Sequence, residues 1–551
     1  MIKHTVPFRQ LGLAGEIKDI MNQDIPSNGI RSARSIRVED QALATYSNAH
    51  EFLSDVVGET FLFHHPFWIN GTDGYIVVSL VDGTPDTIKV EHIDLDGTAT
   101  DVSPASTLDI SAGIWYAVQI GRWLILTNDG GVDKPQLITD QLDPAVDLPG
   151  WPDGYYASVI EVYKNFLVAV GITKGSPLTA SGDEDRMVKW SHPFADGDTT
   201  TDWDYTSSTN LAGERVLAEP GRGLVGARPV NDSLMLYFDR KTWRMDLIGG
   251  QFVMDTQQVF TDDGMIGPHA SINTHDGTIV FGYRDVYRHN GFNKTSISDG
   301  KNTRWVYDSL DLTFSPVGAY YPKRNEAMFV VRSNTSGEGN IILLYNVMHG
   351  SWTQVEAEQN GDGLLTHICS GMRPNTGSVL YTDWTTEEFD DFDETTWAGL
   401  ADSDETVTIL GLSKQNGVLW DLDYNGVSDI VTLFRKNALV EHLGLDFDGM
   451  KNDRGKTISV GNKIVYLSRI FPQIKGSGVV KCTVGTRATV DGSIDWQPAD
   501  TIDLDDDADY AWDIRCAGRY LAYRIEPNDP DDPADFVISG MDWEISVAGT
   551  R

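Results

Sequence analysis

The stretch DGTIVFGYRDVYRHNG, Asp276 to Gly291, decides the fold. Ile279, Phe281 and Tyr283 fall on one side of an extended chain, and Thr278, Val280, Gly282 and Arg284 on the other, the period of a half-buried strand. Arg284-Asp285 makes a tight turn, Val286 to His289 return as a second strand, and Asn290-Gly291 is a strong hairpin signal. The pattern already occurs about 44 residues earlier in SLMLYFDRKTWRMD, where Arg240 aligns with Arg284, Trp243 with Tyr287 and Arg244 with Arg288. A repeat of that length made only of strands implies a β-propeller blade or a β-solenoid rung.

Working outward, comparable apolar strands begin near Tyr75, Arg122, Asn165, Ser233, Thr278, Ala327 and Ser378. Their spacings are about 47, 43, 68, 45, 49 and 51 residues, against the 40 to 50 that a four-stranded blade needs. The long interval leaves room for an insertion, with the polar stretch Gly175 to Asp185 as its candidate. Seven starts imply a propeller of six to eight blades over residues 71–427, with Gly417 to Gly426 as a possible closing piece. Closing the ring leaves no open sheet ends, and each blade buries both faces on its neighbours. Aromatics that follow turns, as in ILLYNVMHGSW (342–352) or MVKWS (187–191) with Asp202-Trp203, then read as wedges between blades.

Residues 1–70 carry many turn formers and little alternation, so they read as an extended segment. Arg31, Arg34 and Arg37 form a basic patch within it, readable as solvated surface or as a subunit contact. From Lys463 onward, runs such as KIVYLSRIFPQI, VVKCTVGTRATV and DFVISGMDWEISVAG alternate again, and residues 428–551 read as a compact antiparallel β-sandwich. The one helical candidate, Ala438 to Gly449, is short. The fold class is therefore all-β, a propeller with a C-terminal sandwich.

The formal net charge of -38 argues against a protein that grips nucleic acid or anionic membranes. Three cysteines in 551 residues exclude a disulfide-dense scaffold, and Cys482 and Cys516 read as free thiols sooner than as a pair. The opening MIKHTVPFRQLGLAGEI shows no secretory h-region, and no apolar run approaches a membrane span.

Chemistry-bearing motifs are few. Asp421-Leu-Asp423-Tyr-Asn425-Gly426-Val-Ser-Asp429 offers oxygen ligands on a tight loop, the form of a calcium loop in integrin-type propellers. Position twelve is Thr432 where an EF-hand has Glu, and the plainer reading is a hairpin in an Asp-rich chain, so no metal ligand is assigned. His64-His65, set in an aromatic run, reads as a packed or surface pair. Nucleophile-elbow, P-loop and paired-cysteine motifs are absent, and Thr489-Val-Asp491-Gly492 misses the sialidase box because its glycine comes one place early. Catalytic residues, metal and cofactor are accordingly all expected to be none.

Four segments, taken in order, resemble the tail nozzle or tail-hub proteins of short-tailed bacteriophages, also known as packaged-DNA stabilisation proteins. They are GLAGEIKDIMNQDIPSNGIRSARSIRVED near the start, VKWSHPFADGDTTTDWDY, DGTIVFGYRDVYRHNGFNKTSIS, and the ending GRYLAYRIEPNDPDDPADFVISGMDWEISVAGTR. Asp503 to Asp509 and Ser428 to Ile458 have no clear counterpart. The resemblance implies a structural virion protein, not an enzyme: a homohexamer below the portal and adaptor ring, cytoplasmic during assembly and then part of the tail. Its partners would be other tail proteins, with residues 1–70 serving subunit or adaptor contacts, and double-stranded DNA would pass through its lumen without specific binding. The alternatives are a calcium-assisted carbohydrate- or receptor-binding propeller and a propeller glycoside hydrolase.

Overall fold

The computed structural model describes residues 3–53, 58–69, 72–194, 198–218, 223–250, 252–333, 340–356, 365–373, 407–413, 418–424, 438–461, 463–489, 492–506, 511–529 and 532–548. The deciding hairpin forms, but its first strand ends at Phe281 and its turn is the wider Gly282 to Asp285, closed by the Gly282 amide donating to Asp285 O at 3.0 Å. Strand Gly277–Phe281 pairs with Val286–His289 in the register Val280↔Tyr287 and Ile279↔Arg288. The earlier copy pairs Leu236↔Trp243 and Met235↔Arg244, so the two hairpins match in register as well as in sequence. Gly291, at φ +90°, serves the turn into strand Lys294–Ser296. One expectation is corrected: Thr278, Ile279, Val280 and Phe281 are all at most 2% exposed, so this strand is buried on both faces, not half-buried. The alternation is real, but each face meets a neighbouring blade.

Seven four-stranded antiparallel units are present among the described residues. Blades 1 to 6 occupy 59–101, 115–147, 155–216, 224–260, 271–296 and 317–356. Blade 7 takes three strands from 365–424 and its outermost strand, Asn48–Leu53, from the beginning of the chain. Hydrogen bonds between the two ends of the propeller therefore close the ring, with Leu419↔Leu53 and Trp420↔Glu51 in register. The extra length of blade 3 lies in two loops, around the predicted 175–185 stretch and after Trp190. The strand start expected at Ser378 and part of the closing piece at Gly417 to Gly426 fall outside the described residues.

Aromatics wedge between blades as the turns imply. Trp352 is 2% exposed and donates its Nε1–H to Ile297 O at 2.9 Å, tying blade 6 to the end of blade 5. Trp203 meets Trp151 edge-on, with ring centroids 4.8 Å apart. Tyr163 joins blades 3 and 4: its hydroxyl donates to Asp232 O at 2.6 Å and accepts from Leu247 N–H at 3.1 Å. Tyr163→Phe is expected to cost about 1–2 kcal/mol, read as a shift of the urea midpoint at unchanged slope.

The described residues among the first seventy are not an extended arm. Lys3–Arg9 pairs along its whole length with Asp535–Val547, and Ile36–Glu39 and Ala42–Thr45 extend the same six-stranded sheet beside Val465–Ser477 and Cys516–Gly518. The facing sheet contains Ser32–Arg34, Leu439–Leu445, Val479–Arg487 and Tyr520–Pro527. Phe8, Phe447, Trp512, Trp543 and Val440 are buried together between them. The sandwich is thus built from both chain ends, because each terminal strand alone leaves one apolar face uncovered. The helix expected over Ala438 to Gly449 is a strand: Val440 pairs with Ile525, and tertiary pairing overrides a weak local preference. Sandwich and propeller share one continuous sheet, because Arg34 pairs in parallel with Gln354 of blade 6.

Candidate functional site: the propeller axis and the charge lock beside it

The innermost strands place their side chains on the axis. Glu59–Ile69 brings Phe63, His64 and His65, Trp115–Ile120 brings Tyr116, Tyr155–Tyr163 brings Glu161, Leu224–Val230 brings Arg228, and Leu365–Met372 brings His367. His64 Nδ1 and His367 Nδ1 are 3.1 Å apart, so one ring donates and the other accepts. His269 donates from Nε2 to Trp115 O at 2.7 Å and stacks on Tyr116. Its ring centroid lies 4.9 Å from that of His367. Tyr116 Oη donates to Glu161 Oε2 at 2.6 Å and accepts from Arg228 Nη1 at 2.9 Å, while Arg228 Nε donates to Ser271 Oγ at 3.0 Å. The axis is therefore filled by an interlocked polar layer.

Burial sets the protonation of this layer. Desolvation lowers the His64 pKa to about 3 and that of His269 to about 4, and holds His367 well below its ordinary value. Burial raises the Glu161 pKa against the pull of Arg228. At one end of the axis a cavity of about 520 Å³ opens, lined by Ile114, Asp129, Ser158, Pro268, Tyr283 and Ser315 among others. Asp129 accepts from the Gly113 and Ile114 amides at 2.9 and 3.0 Å. Both carboxylates are thus engaged by fixed donors. Glycoside hydrolysis needs one carboxyl as proton donor and a second as base or nucleophile.

The second cluster sits where the ring closes against the sandwich. Arg37, 1% exposed, donates from Nη1 to Asp423 Oδ1 at 2.6 Å and from Nη2 to Glu326 Oε2 at 3.1 Å, and lies 4.4 Å over the Tyr46 ring. Asp423 also accepts from Ser47 Oγ at 2.5 Å, Tyr321 Oη at 2.6 Å and Arg324 Nε at 3.2 Å. Arg324 reaches Glu39 as well. Asp421 faces Arg373 Nε at 3.1 Å and accepts from Thr408 Oγ1 at 2.5 Å. Burial opposes the charge of Asp423, yet Arg37 and Arg324 outweigh it and hold its pKa far below the carboxylate range. Burial likewise opposes the charge of Arg37, and Glu326 and Asp423 outweigh it.

This geometry answers several sequence readings. Asp421 and Asp423 lie on strand Leu419–Tyr424, fully buried and held by arginines; Asn425 and Asp429 lie outside the described residues. Of the basic patch only Arg37 is internal, while Arg31 and Arg34 are half-exposed. Arg31 donates to the carbonyls of Lys18 and Ile20, Arg34 pairs with Glu356, and Arg37 is buried. His64 is packed on the axis, and Cys482 and Cys516 are unbridged thiols. The Arg37–Asp423 contact joins residues 386 apart, and nothing local in the sequence announces it. The axial Glu161–Tyr116–Arg228 group leaves no mark in the sequence for the same reason: each member comes from a different blade.

No protein-family model and no curated protein matches the chain. Among solved structures it is similar to an exo-β-1,3-galactanase from Phanerochaete chrysosporium at 9% identity, covering 80% of this chain and 98% of that one, with TM-score 0.24. It is also similar to the Pan2 WD40 domain of Neurospora crassa, at 9% identity over 73% of this chain and 91% of that one, TM-score 0.30. AztD from Citrobacter koseri matches at 11% identity over 57% of this chain and 86% of that one, TM-score 0.26. Likenesses this distant carry no argument about activity.

Proposed function

We propose that the chain is a structural subunit of the tail nozzle of a short-tailed phage, an oligomer that retains packaged DNA and lets it pass on ejection. The observation that carries this reading is mechanical. Propeller and sandwich share one sheet and a buried ion network, so they form one block, and the axis of that block is plugged by side chains. A block of this kind suits a wall element, and the passage would lie between subunits, not through a propeller. The ordered resemblance of four segments supports the reading. So does the charge: six copies at -38 each would give a wall that repels phosphates and lets DNA slide. Its partners would be five further copies and the neighbouring tail proteins, and its place the virion tail after assembly in the host cytoplasm.

Mass measurement tests this directly. A ring near six times 60.9 kDa, alone or with purified neighbouring tail proteins, is the expected result. A monomer under both conditions overturns it.

The axial cavity favours a second reading, a carbohydrate-binding propeller. Tyr283 offers a ring face, and Asp129, Ser158 and Ser315 offer polar groups around an apolar floor. A glycan array probed with wild type and Tyr283→Ala separates the two: retention lost on substitution supports the binding reading.

A further inference from the structure

The N-terminal segment brings a lysine against a glutamine of blade 6. Gly15–Glu16 lies on the fourth strand of that blade, Ser351–Glu356, and the Gly15 backbone, at φ +70°, comes so close that a Cβ there would meet Trp352 N at 2.6 Å. Lys18 follows. Its Nζ donates to Gln354 Oε1 at 3.0 Å and stands 3.2 Å from Glu16 Oε1. Gln354 and Glu16 are 3% and 1% exposed. The Trp305 ring lies over the ammonium, with its centroid 3.5 Å from Nζ. An ion pair by itself needs no carboxamide. Here the amine also touches the carbonyl oxygen of one, and the carbonyl carbon lies one bond behind that oxygen.

All three residues are anchored through their surroundings. The Lys18 amide donates to Lys301 O at 2.9 Å and to Asn302 Oδ1 at 3.0 Å. Glu16 Oε1 accepts from the Ala33 amide at 3.1 Å. Gln354 is fixed in its sheet between Leu343 and Arg34, and its main-chain carbonyl accepts from the Ser35 amide at 2.8 Å. Holding reacting groups in contact removes most of the entropic barrier to their reaction. Burial raises the Glu16 pKa against the pull of Lys18, and the nearby Glu356 adds to the rise. The carboxylate is thereby a better proton acceptor than one in water.

We propose that Lys18 and Gln354 condense into an isopeptide cross-link, with Glu16 carrying the protons. The Glu16 carboxylate takes a proton from the Lys18 ammonium and frees the Nζ lone pair. The amine attacks Gln354 Cδ, and the carbonyl oxygen takes up the negative charge of a tetrahedral intermediate. Protonated Glu16 passes its proton to Nε2, and the Cδ–Nε2 bond breaks as the carbonyl re-forms. The extra proton left on Nζ goes by way of Glu16 to the departing ammonia. One Nζ–Cδ bond forms, one Cδ–Nε2 bond breaks, ammonium leaves, and Glu16 ends as the carboxylate it began as. The reaction consumes no oxidant and no co-reactant. The link joins positions 336 apart and fastens the N-terminal segment to blade 6. It goes beyond the nozzle reading and does not depend on it.

Intact-mass spectrometry of the purified full chain under denaturing conditions tests the proposal. The expected mass lies about 17 Da, one ammonia, below that of the sequence. Proteolysis and tandem mass spectrometry should then recover one branched peptide that joins Lys18 to Gln354. Lys18→Arg and Gln354→Leu should each restore the full mass. Glu16→Gln should do the same while still melting cooperatively, which separates proton transfer from folding. The full sequence mass in the wild type overturns the proposal. So does an ammonia loss that maps to a succinimide at an Asn-Gly step such as Asn290-Gly291 in place of the branched peptide, or a cross-link that forms in Glu16→Gln to the wild-type extent. The wild-type spectrum decides by itself if a variant does not fold. None of these readouts depends on the oligomeric state, so failure here and failure of the nozzle reading are distinguishable.

Discussion

Replacing Arg37 by methionine is expected to lower the free energy of unfolding by about 3–5 kcal/mol, the cost of stranding buried carboxylates without their cation. Methionine keeps most of the volume and the packing over Tyr46 but removes the only group that touches both Asp423 and Glu326 at hydrogen-bond distance among the described contacts. Asp423 retains Ser47, Tyr321 and Arg324, so Glu326 carries much of the loss. Glu326→Gln in the same background should recover part of it, since a neutral amide no longer needs a counter-ion. Urea unfolding followed by tryptophan fluorescence measures both, and a double-mutant cycle gives the coupling. A loss below about 1 kcal/mol for Arg37→Met would show that the network is solvated and does not hold the ring closed against the sandwich.

The second large effect is on pH dependence. His64, His289, His367 and His442 are all buried, and burial keeps them neutral: the pKa is lowered to about 3 for His64, to about 4 for His289 and His442, and well below the ordinary value for His367. In the unfolded chain each titrates near 6.5. Above that pH both states are neutral and these groups contribute nothing to the pH dependence. Below it the unfolded chain takes up protons that the fold refuses, so stability falls as pH drops from about 6.5 toward 4. Each such histidine contributes up to about 1.4 kcal/mol per pH unit, at most roughly 5.6 kcal/mol per unit for the four. Glu161, Glu326 and Asp421, with pKa values raised by burial, work in the opposite direction because the fold binds their protons more readily. The clean readout is therefore a difference in slope. His64→Gln should flatten the plot of unfolding free energy against pH by about 1 kcal/mol per unit between pH 6 and 4.5. An unchanged slope would mean that His64 is charged or hydrated in the folded state.

These two experiments probe what the sequence shows least. Arg37 looks like one member of a basic patch, spaced as Arg31, Arg34 and Arg37, because sequence displays charge and not the strand that will cover it. Asp421 and Asp423 look like cation ligands because short spacing between acids is all that a loop motif contains; the arginines that hold them come from positions 37, 324 and 373. His64 and His65 were legible only as a packed or surface pair, and their partners His269 and His367, which arrive from elsewhere in the ring, were not legible at all.

By itself the sequence determined the class of structure: strands of period two, turns at Arg284-Asp285 and Asn290-Gly291, and a spacing that a four-stranded blade accommodates. Those properties are local, set by side-chain alternation and backbone conformation within a few residues. Only the tertiary structure decided that there are seven blades among the described residues, that Asn48–Leu53 completes the last, and that Lys3–Arg9 belongs to the sandwich. A strand carries no mark of which distant edge it will pair with. That choice is made when both chain ends must bury an apolar face and satisfy an open row of amides and carbonyls, and the available edges are fixed by everything folded between them.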